Sequence, residues 1–137
     1  MPEQATERRI QRMKTGLEAF NRTGSIDRTW LAPDFELHQA SSIVDTAGTF
    51  RGPDALHDSL QELRESFEDL RFEAERFEQA PDGAVVVFVR VRGRGRGSRM
   101  EIDNLIAWVV TYHDDQAARI VVYEEPSEAL AAAGLSA

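Results

Sequence analysis

"VVVFVRVRGRGRGS", residues 85–98, is the stretch on which the fold turns. Its first half is β-branched and apolar at consecutive positions, as in a strand covered on both faces, and its second half alternates arginine with glycine. It predicts a strand that starts in a core and bends towards its end, with a bulge or kink at the glycines 93, 95 and 97. On one side "PDGA" (81–84) supplies an Asp-Gly turn, and before it "LRFEAERFEQA" (70–80) alternates loosely with a period of two. On the other side follow "MEIDNLIAWVVTY" (100–112), a turn at "HDDQAA" (113–118) and "RIVVYEE" (119–125). The sum is a meander of four antiparallel strands. "HDDQAA" lacks the glycine usual in such turns, so its hairpin is expected to be longer or differently shaped.

Upstream, the period becomes that of a helix. In "ATERRIQRMKTGLEAFNRTG" (5–24), Ile10, Met13, Leu17 and Phe20 recur at three- and four-residue steps, and Gly24 stands where the helix should stop. Ser25 can cap a short second helix, "IDRTWL" (26–31), before Pro33 forces an extended entry into "DFELHQA" (34–40). "SSIVDTAGT" (41–49) reads as a loop. "FRGPDALHDSLQELRESF" (50–67) reads as a turn and a third helix, with Pro53 at the first helical position and Leu56, Leu60, Leu63 and Phe67 on one stripe. "SEALAAAG" (127–134) closes the chain as a short helix. Helices early and hairpins late argue an α+β fold: a curved antiparallel sheet around three N-terminal helices, in one domain over residues 1–137.

Composition narrows the function classes. With 137 residues, 42% of them hydrophobic, the chain can fill one core but not two. No apolar run is long enough to span a bilayer and no greasy segment follows the first charges, so a soluble, cytoplasmic protein is expected. It has no cysteine, and His38, His57 and His113 are scattered without zinc spacing, so neither thiol chemistry nor a metal is expected. His57, off the centre line of its helix stripe, and His113, in a hairpin, read as solvated. A net charge of −8 disfavours nucleic acid, even though "RGRGRGSR" (92–99) resembles some RNA-binding tails; that run is short, joins two apolar strands and has no aromatic residue. The partner these features suit is a neutral or modestly polar small molecule, and no cofactor is expected; the hydrophobic ligand follows only from the resemblance below.

The order of elements, "FRGPDAL" (50–56), "VRVRGRGRGS" (89–98) and "VYEEPSEALAAAGL" (122–135) resemble the SnoaL-like branch of the nuclear transport factor 2-like, or ketosteroid isomerase-like, superfamily over roughly residues 7 to 135. The resemblance implies a cone: a sheet wrapped around helices, leaving an apolar pocket at one end, and a homodimer packed through the outer sheet face. It carries fold better than chemistry, since the superfamily holds isomerases, polyketide cyclases, dehydratases, epoxide hydrolases and non-catalytic binding modules.

Laid over ketosteroid isomerases, "WLAPDFELHQ" (30–39) sets His38 where they have a carboxylate base. Imidazole is a usable base near neutrality, and Glu36, two residues away on the same face, can orient it. By the same resemblance, the strand face bearing Asn104 and Trp108 looks inward, with Asn104 polarising a substrate carbonyl; a bulge would bring Asp103 inside instead. Arg90 is expected across from Asp103, the pairing a limonene-type epoxide hydrolase uses to hold its carboxylate ionised. Trp30 caps the expected pocket, Leu17, Phe20, Leu56, Leu60 and Trp108 line it, and either Tyr123 or Glu124 looks in from the last strand. The leading reading is a cofactor-independent isomerase, cyclase or dehydratase on a polyketide- or terpenoid-like substrate; the alternatives are a non-catalytic ligand-binding or accessory protein and an epoxide hydrolase.

Overall fold

In the computed structural model of the chain, which describes residues 2–40 and 49–135, Val85, Val86, Val87 and Val89 have no exposed surface at all. The strand they open is therefore covered on both faces, as its β-branched run requires. The elements follow as α1 (Pro2–Thr23), a 3₁₀ turn (Arg28–Trp30), β1 (Leu31–Ala40), β2 (Thr49–Arg51), α2 (Pro53–Ser66), β3 (Phe67–Gln79), β4 (Val85–Gly95), β5 (Glu101–His113), β6 (Gln116–Tyr123) and α3 (Pro126–Ala132). The loop read at 41–48 lies outside the described residues.

The strands form one open sheet in the order β2-β1-β6-β5-β4-β3. β3 to β6 are the expected meander. The sheet is mixed, however, not purely antiparallel: β1 lies parallel to β6, with Leu37 opposite Ile120 and His38 opposite Val121. The reason is the path of α2, which touches β1, β2 and β3 and carries the chain from one sheet edge to the other, so the meander returns to β1 running in the same direction.

The bulges also fall on another strand than the glycines suggest. β4 pairs with β5 without interruption from Val85 to Arg94. The irregularities are on the neighbouring strand: β3 carries one extra residue between Ala74 and Arg76 and another between Glu68 and Arg71, where Asp69 takes φ 54°. Gly93 lies opposite that bulge, and a Cβ there would stand 3.5 Å from the Glu68 carbonyl oxygen and the Leu70 Cα. The 113–118 hairpin is tight: His113 pairs with Gln116, and Asp114 adopts φ 56°, a conformation that Asp tolerates in place of Gly.

One face of the sheet meets α1 and α2, and there Phe35, Val85, Val87, Val89 and Val110 form the main core with Met13 and Phe20 of α1. α1 stops at Gly24, whose φ is 79° and whose N–H donates to the Phe20 carbonyl at 2.7 Å. The expected second helix shrinks to a single 3₁₀ turn capped by Asp27 rather than Ser25, because Leu31 is already extended (φ −95°, ψ 139°) and β1 has begun before Pro33. Among the described residues two α-helices, not three, thus precede the meander. The third, α3, packs on the opposite face over Val86 and Ala107, with Phe88, Val109 and Tyr123 beside them.

β3 is an edge strand, and α1 holds its middle. The Asn21 side chain donates from Nδ2 to the Phe72 carbonyl at 2.9 Å and accepts from the Phe72 N–H at Oδ1, also at 2.9 Å. One amide side chain stands in for a neighbouring strand's peptide group.

Candidate functional site

Strand alternation and the helix stripe turn side chains from every layer towards one space. Met13, Gly16 and Leu17 come from α1, Ile26, Asp27 and Trp30 from the 3₁₀ segment, and Leu56, Ser59, Leu60 and Leu63 from α2. The sheet supplies Leu37, Gln39, Phe72, Val91, Ile106, Trp108, Ile120 and Val122. These residues enclose a cavity of about 290 Å³ with a predominantly apolar lining. Behind it, Phe20 packs on Phe72 (ring centroids 5.5 Å apart) and Phe72 on Trp108 (6.1 Å), a tilted aromatic stack that fixes the floor.

Polar groups in the lining are few. Gln39 and Ser59 are neutral, and Asp27 is the one charged residue among the described lining residues. Its carboxylate is already engaged: Oδ1 accepts from the Thr29 N–H at 3.0 Å and from the Thr29 hydroxyl, and the Arg12 guanidinium lies 3.7 Å from Oδ2. The Thr29 hydroxyl first, and Arg12 in addition, hold this carboxyl below the usual carboxylate range despite some burial. It is a weak base, spent on capping the turn.

Beneath Trp30, the hydroxyl of Tyr112 is buried, and burial pushes its pKa up to about 12 against the lowering effect of Arg9 and the Trp30 indole. The Arg9 guanidinium sits 4.7 Å from the Tyr112 ring centre. Neither the Trp30 Nε1–H nor the Tyr112 hydroxyl completes a hydrogen bond at full geometry.

The expected site residues divide between the two sheet faces. Leu17, Trp30, Leu56, Leu60 and Trp108 line the cavity, and Phe20 is buried behind it. His38 and Glu36 do not reach it. Phe35 and Leu37, 0% and 7% exposed, claim the inner face of β1, so the residues alternating with them must face outward. There His38 Nε2 lies 2.8 Å from Glu36 Oε1. The expected role of His38 as a base within the cavity is thereby corrected by the parity of a single strand.

Asp103 and Arg90 are also on the outer face. Asp103 is directly opposite Arg92, and Arg90, opposite Leu105, reaches it diagonally with Nη1 2.8 Å from Oδ1. Arg90 bonds Glu75 on its other side at 2.7 Å, and the pairing lowers the Asp103 pKa and raises that of Arg90. The pair is real but belongs to an exposed charge ladder, which removes the geometry of the epoxide-hydrolase reading. Asn104 shares the parity of Ile106 and Trp108 but stands exposed beyond them, outside the lining. Glu124 is exposed past the end of β6, and Tyr123 packs under α3.

Several lining residues escaped the sequence reading, among them Gly16, Leu37, Gln39 and Val91. Leu37 and Gln39 carried a usable signal, since they share a face with Phe35. Among the described residues no helix is long and apolar enough to cross a membrane, and no three His, Asp or Glu side chains gather as metal ligands.

Residues 17–120 match the family model described as a SnoaL-like domain. No curated protein matches the chain. Among solved structures, a nuclear transport factor 2-like protein of unknown function from Burkholderia pseudomallei superposes with a TM-score of 0.69 at 18% identity, over 90% of this chain and 95% of that one. A protein with a ketosteroid isomerase-like fold from Catenulispora acidiphila, solved in complex with trimethylamine, gives 0.62 at 17% identity over 79% of each chain. A candidate SnoaL-like polyketide cyclase from Shewanella putrefaciens gives 0.64 at 13% identity over 88% of each. At these identities the likeness is one of fold.

Proposed function

The chain belongs to the SnoaL-like domain family, and on that footing we propose that it is a ligand-binding protein whose cavity takes an uncharged, apolar small molecule. One observation carries this reading: the cavity draws on α1, α2 and five strands, yet the only charge in its described lining is a carboxylate already bonded to Thr29. An apolar ligand gains about 25 cal/mol for each Å² it hides in such a space. A charged ligand would lose hydration without finding a free counter-charge. Gln39 and Ser59 can each offer a hydrogen bond to one carbonyl or hydroxyl group, which suits a terpenoid- or polyketide-like skeleton.

Proton-transfer chemistry on the same ligand needs a base within reach of it. The imidazole expected in that role stands on the other face of β1, which is why binding without turnover is the reading preferred over isomerase, cyclase or dehydratase.

The test is a fluorescence titration of the full chain with N-phenyl-1-naphthylamine, an uncharged apolar probe. Saturable binding by the wild type is expected, weakened about tenfold or more by Leu60→Glu, which sets a carboxylate in the lining. Absence of saturable binding, or equal affinity in Leu60→Glu, would overturn the reading.

A further inference from the structure

Gly16 lies on the apolar stripe of α1, three residues after Met13 and four before Phe20, where a large side chain would normally enter the core. Glycine is a poor helix former, so a glycine inside a 22-residue helix calls for a cause. Backbone geometry is not that cause: among the described residues the glycines with positive φ are 24, 52, 83 and 134. Nor is a close neighbour. A Cβ on Gly24 would strike the Arg64 guanidinium at 1.8 Å, whereas a Cβ on Gly16 would meet no heavy atom within 4 Å.

What Gly16 borders is the cavity. The missing side chain leaves a notch in the helix wall between Met13 and Leu17, both of which line the same space. We propose that Gly16 determines specificity: it keeps the α1 backbone clear so that a ligand broad enough to span from the sheet to the helix rests directly against it. The proposal rests on the binding reading above and deepens it. It narrows the ligand to apolar molecules of ring-bearing breadth, for which a thread-like chain would be a poor substitute.

A helix paying for a glycine that packing does not require should become more stable when the glycine is replaced, and lose ligand affinity in the same step. These opposite signs form the test. In thermal melts, Gly16→Ala is expected to raise Tm by about 2–4 °C. In titrations with N-phenyl-1-naphthylamine, it should weaken binding about threefold or more, and Gly16→Leu about tenfold or more. Thr15→Ala, exposed on the same helix, serves as the control: it should raise Tm with the probe Kd unchanged. A wild type that does not bind the probe removes the binding reading and this inference together. A wild type that binds, with Gly16→Ala matching its Kd or lowering Tm, overturns the role of Gly16 alone and leaves the cavity's function standing. Gly16→Ala decides the matter if the bulkier leucine variant fails to fold.

Discussion

Leu37 and His38 are adjacent on β1 and face opposite ways: Leu37 lines the cavity, and His38 pairs with Glu36 on the outer side of the sheet. The two can therefore be changed independently. His38→Ala is expected to leave the probe Kd within about twofold of the wild type, because the site it alters has no contact with the cavity. Leu37→Ala removes lining and core together and should cost about 2–4 kcal/mol in urea denaturation, while changing probe affinity. A His38→Ala protein that loses binding would place the ligand on the wrong face of the sheet.

Asn21 makes two hydrogen bonds to one residue of the edge strand, and its replacement tests how much α1 depends on them. Asn21→Leu is expected to cost about 1–3 kcal/mol, since it leaves a part-buried N–H and C=O without partners. Asn21→Asp should behave differently with pH. A protonated Asp can copy the amide, donating to the Phe72 carbonyl, whereas an ionised one repels it. The folded pKa of the new carboxyl is then raised, so the variant's stability is fully present below the ordinary Asp value and is lost as pH rises through the folded one. Urea midpoints at several pH values would show the opposite slope, or none, if the Phe72 contact were unimportant.

Asp27 predicts a loss of stability in acid. Its carboxyl is held below the usual 3.8, chiefly by the Thr29 hydroxyl, so its contribution is present above that value and disappears as pH falls through the lowered one. Asp27→Asn keeps an acceptor for the Thr29 N–H and should flatten the acid limb of the stability curve. Asp27→Ala should cost about 1 kcal/mol at neutral pH, the usual cost of a lost cap. A wild type and Asp27→Asn with parallel profiles between pH 5 and 2, measured by circular dichroism in urea at about half-unit steps, would contradict this.

Tyr112 predicts the corresponding effect in base. Burial raises its pKa from 10 to about 12, so the folded state resists ionisation and stability falls as pH rises from 10 through 12. Tyr112→Phe removes a buried hydroxyl whose contact with the Trp30 indole falls short of full hydrogen-bond geometry, and is expected to be neutral or stabilising at pH 7 and to flatten the alkaline loss, worth up to about 3 kcal/mol. Phenolate absorbance followed against pH should show one tyrosine titrating late in the wild type and missing from the variant.

The meander from Phe67 to Tyr123 was legible because alternation is a local signal, renewed every two residues and bounded by recognisable turns. Parity divided β5 into two faces, and the resemblance chose the one bearing Trp108, which does lie in the lining. β1 was misread for the opposite reason. Phe35 and Leu37 already marked its inner face, but His38 was placed by resemblance, and a slip of one residue inverts a strand. The parallel contact between β1 and β6 joins positions more than eighty residues apart, for example Leu37 and Ile120, and nothing in either segment announces it. Nor does the composition of α3 say which face of the sheet it will cover. Gly16 was invisible for another reason: a cavity is defined by what is missing, and only the assembled walls reveal it.

That long-range partnership also governs how the chain can be made. Emerging from a ribosome, β1 has α2 and the three residues of β2 to lean on, but its long strand neighbour is missing until β6 has been synthesised. A nascent chain halted before Gln116 should expose a sticky, half-built surface to chaperones.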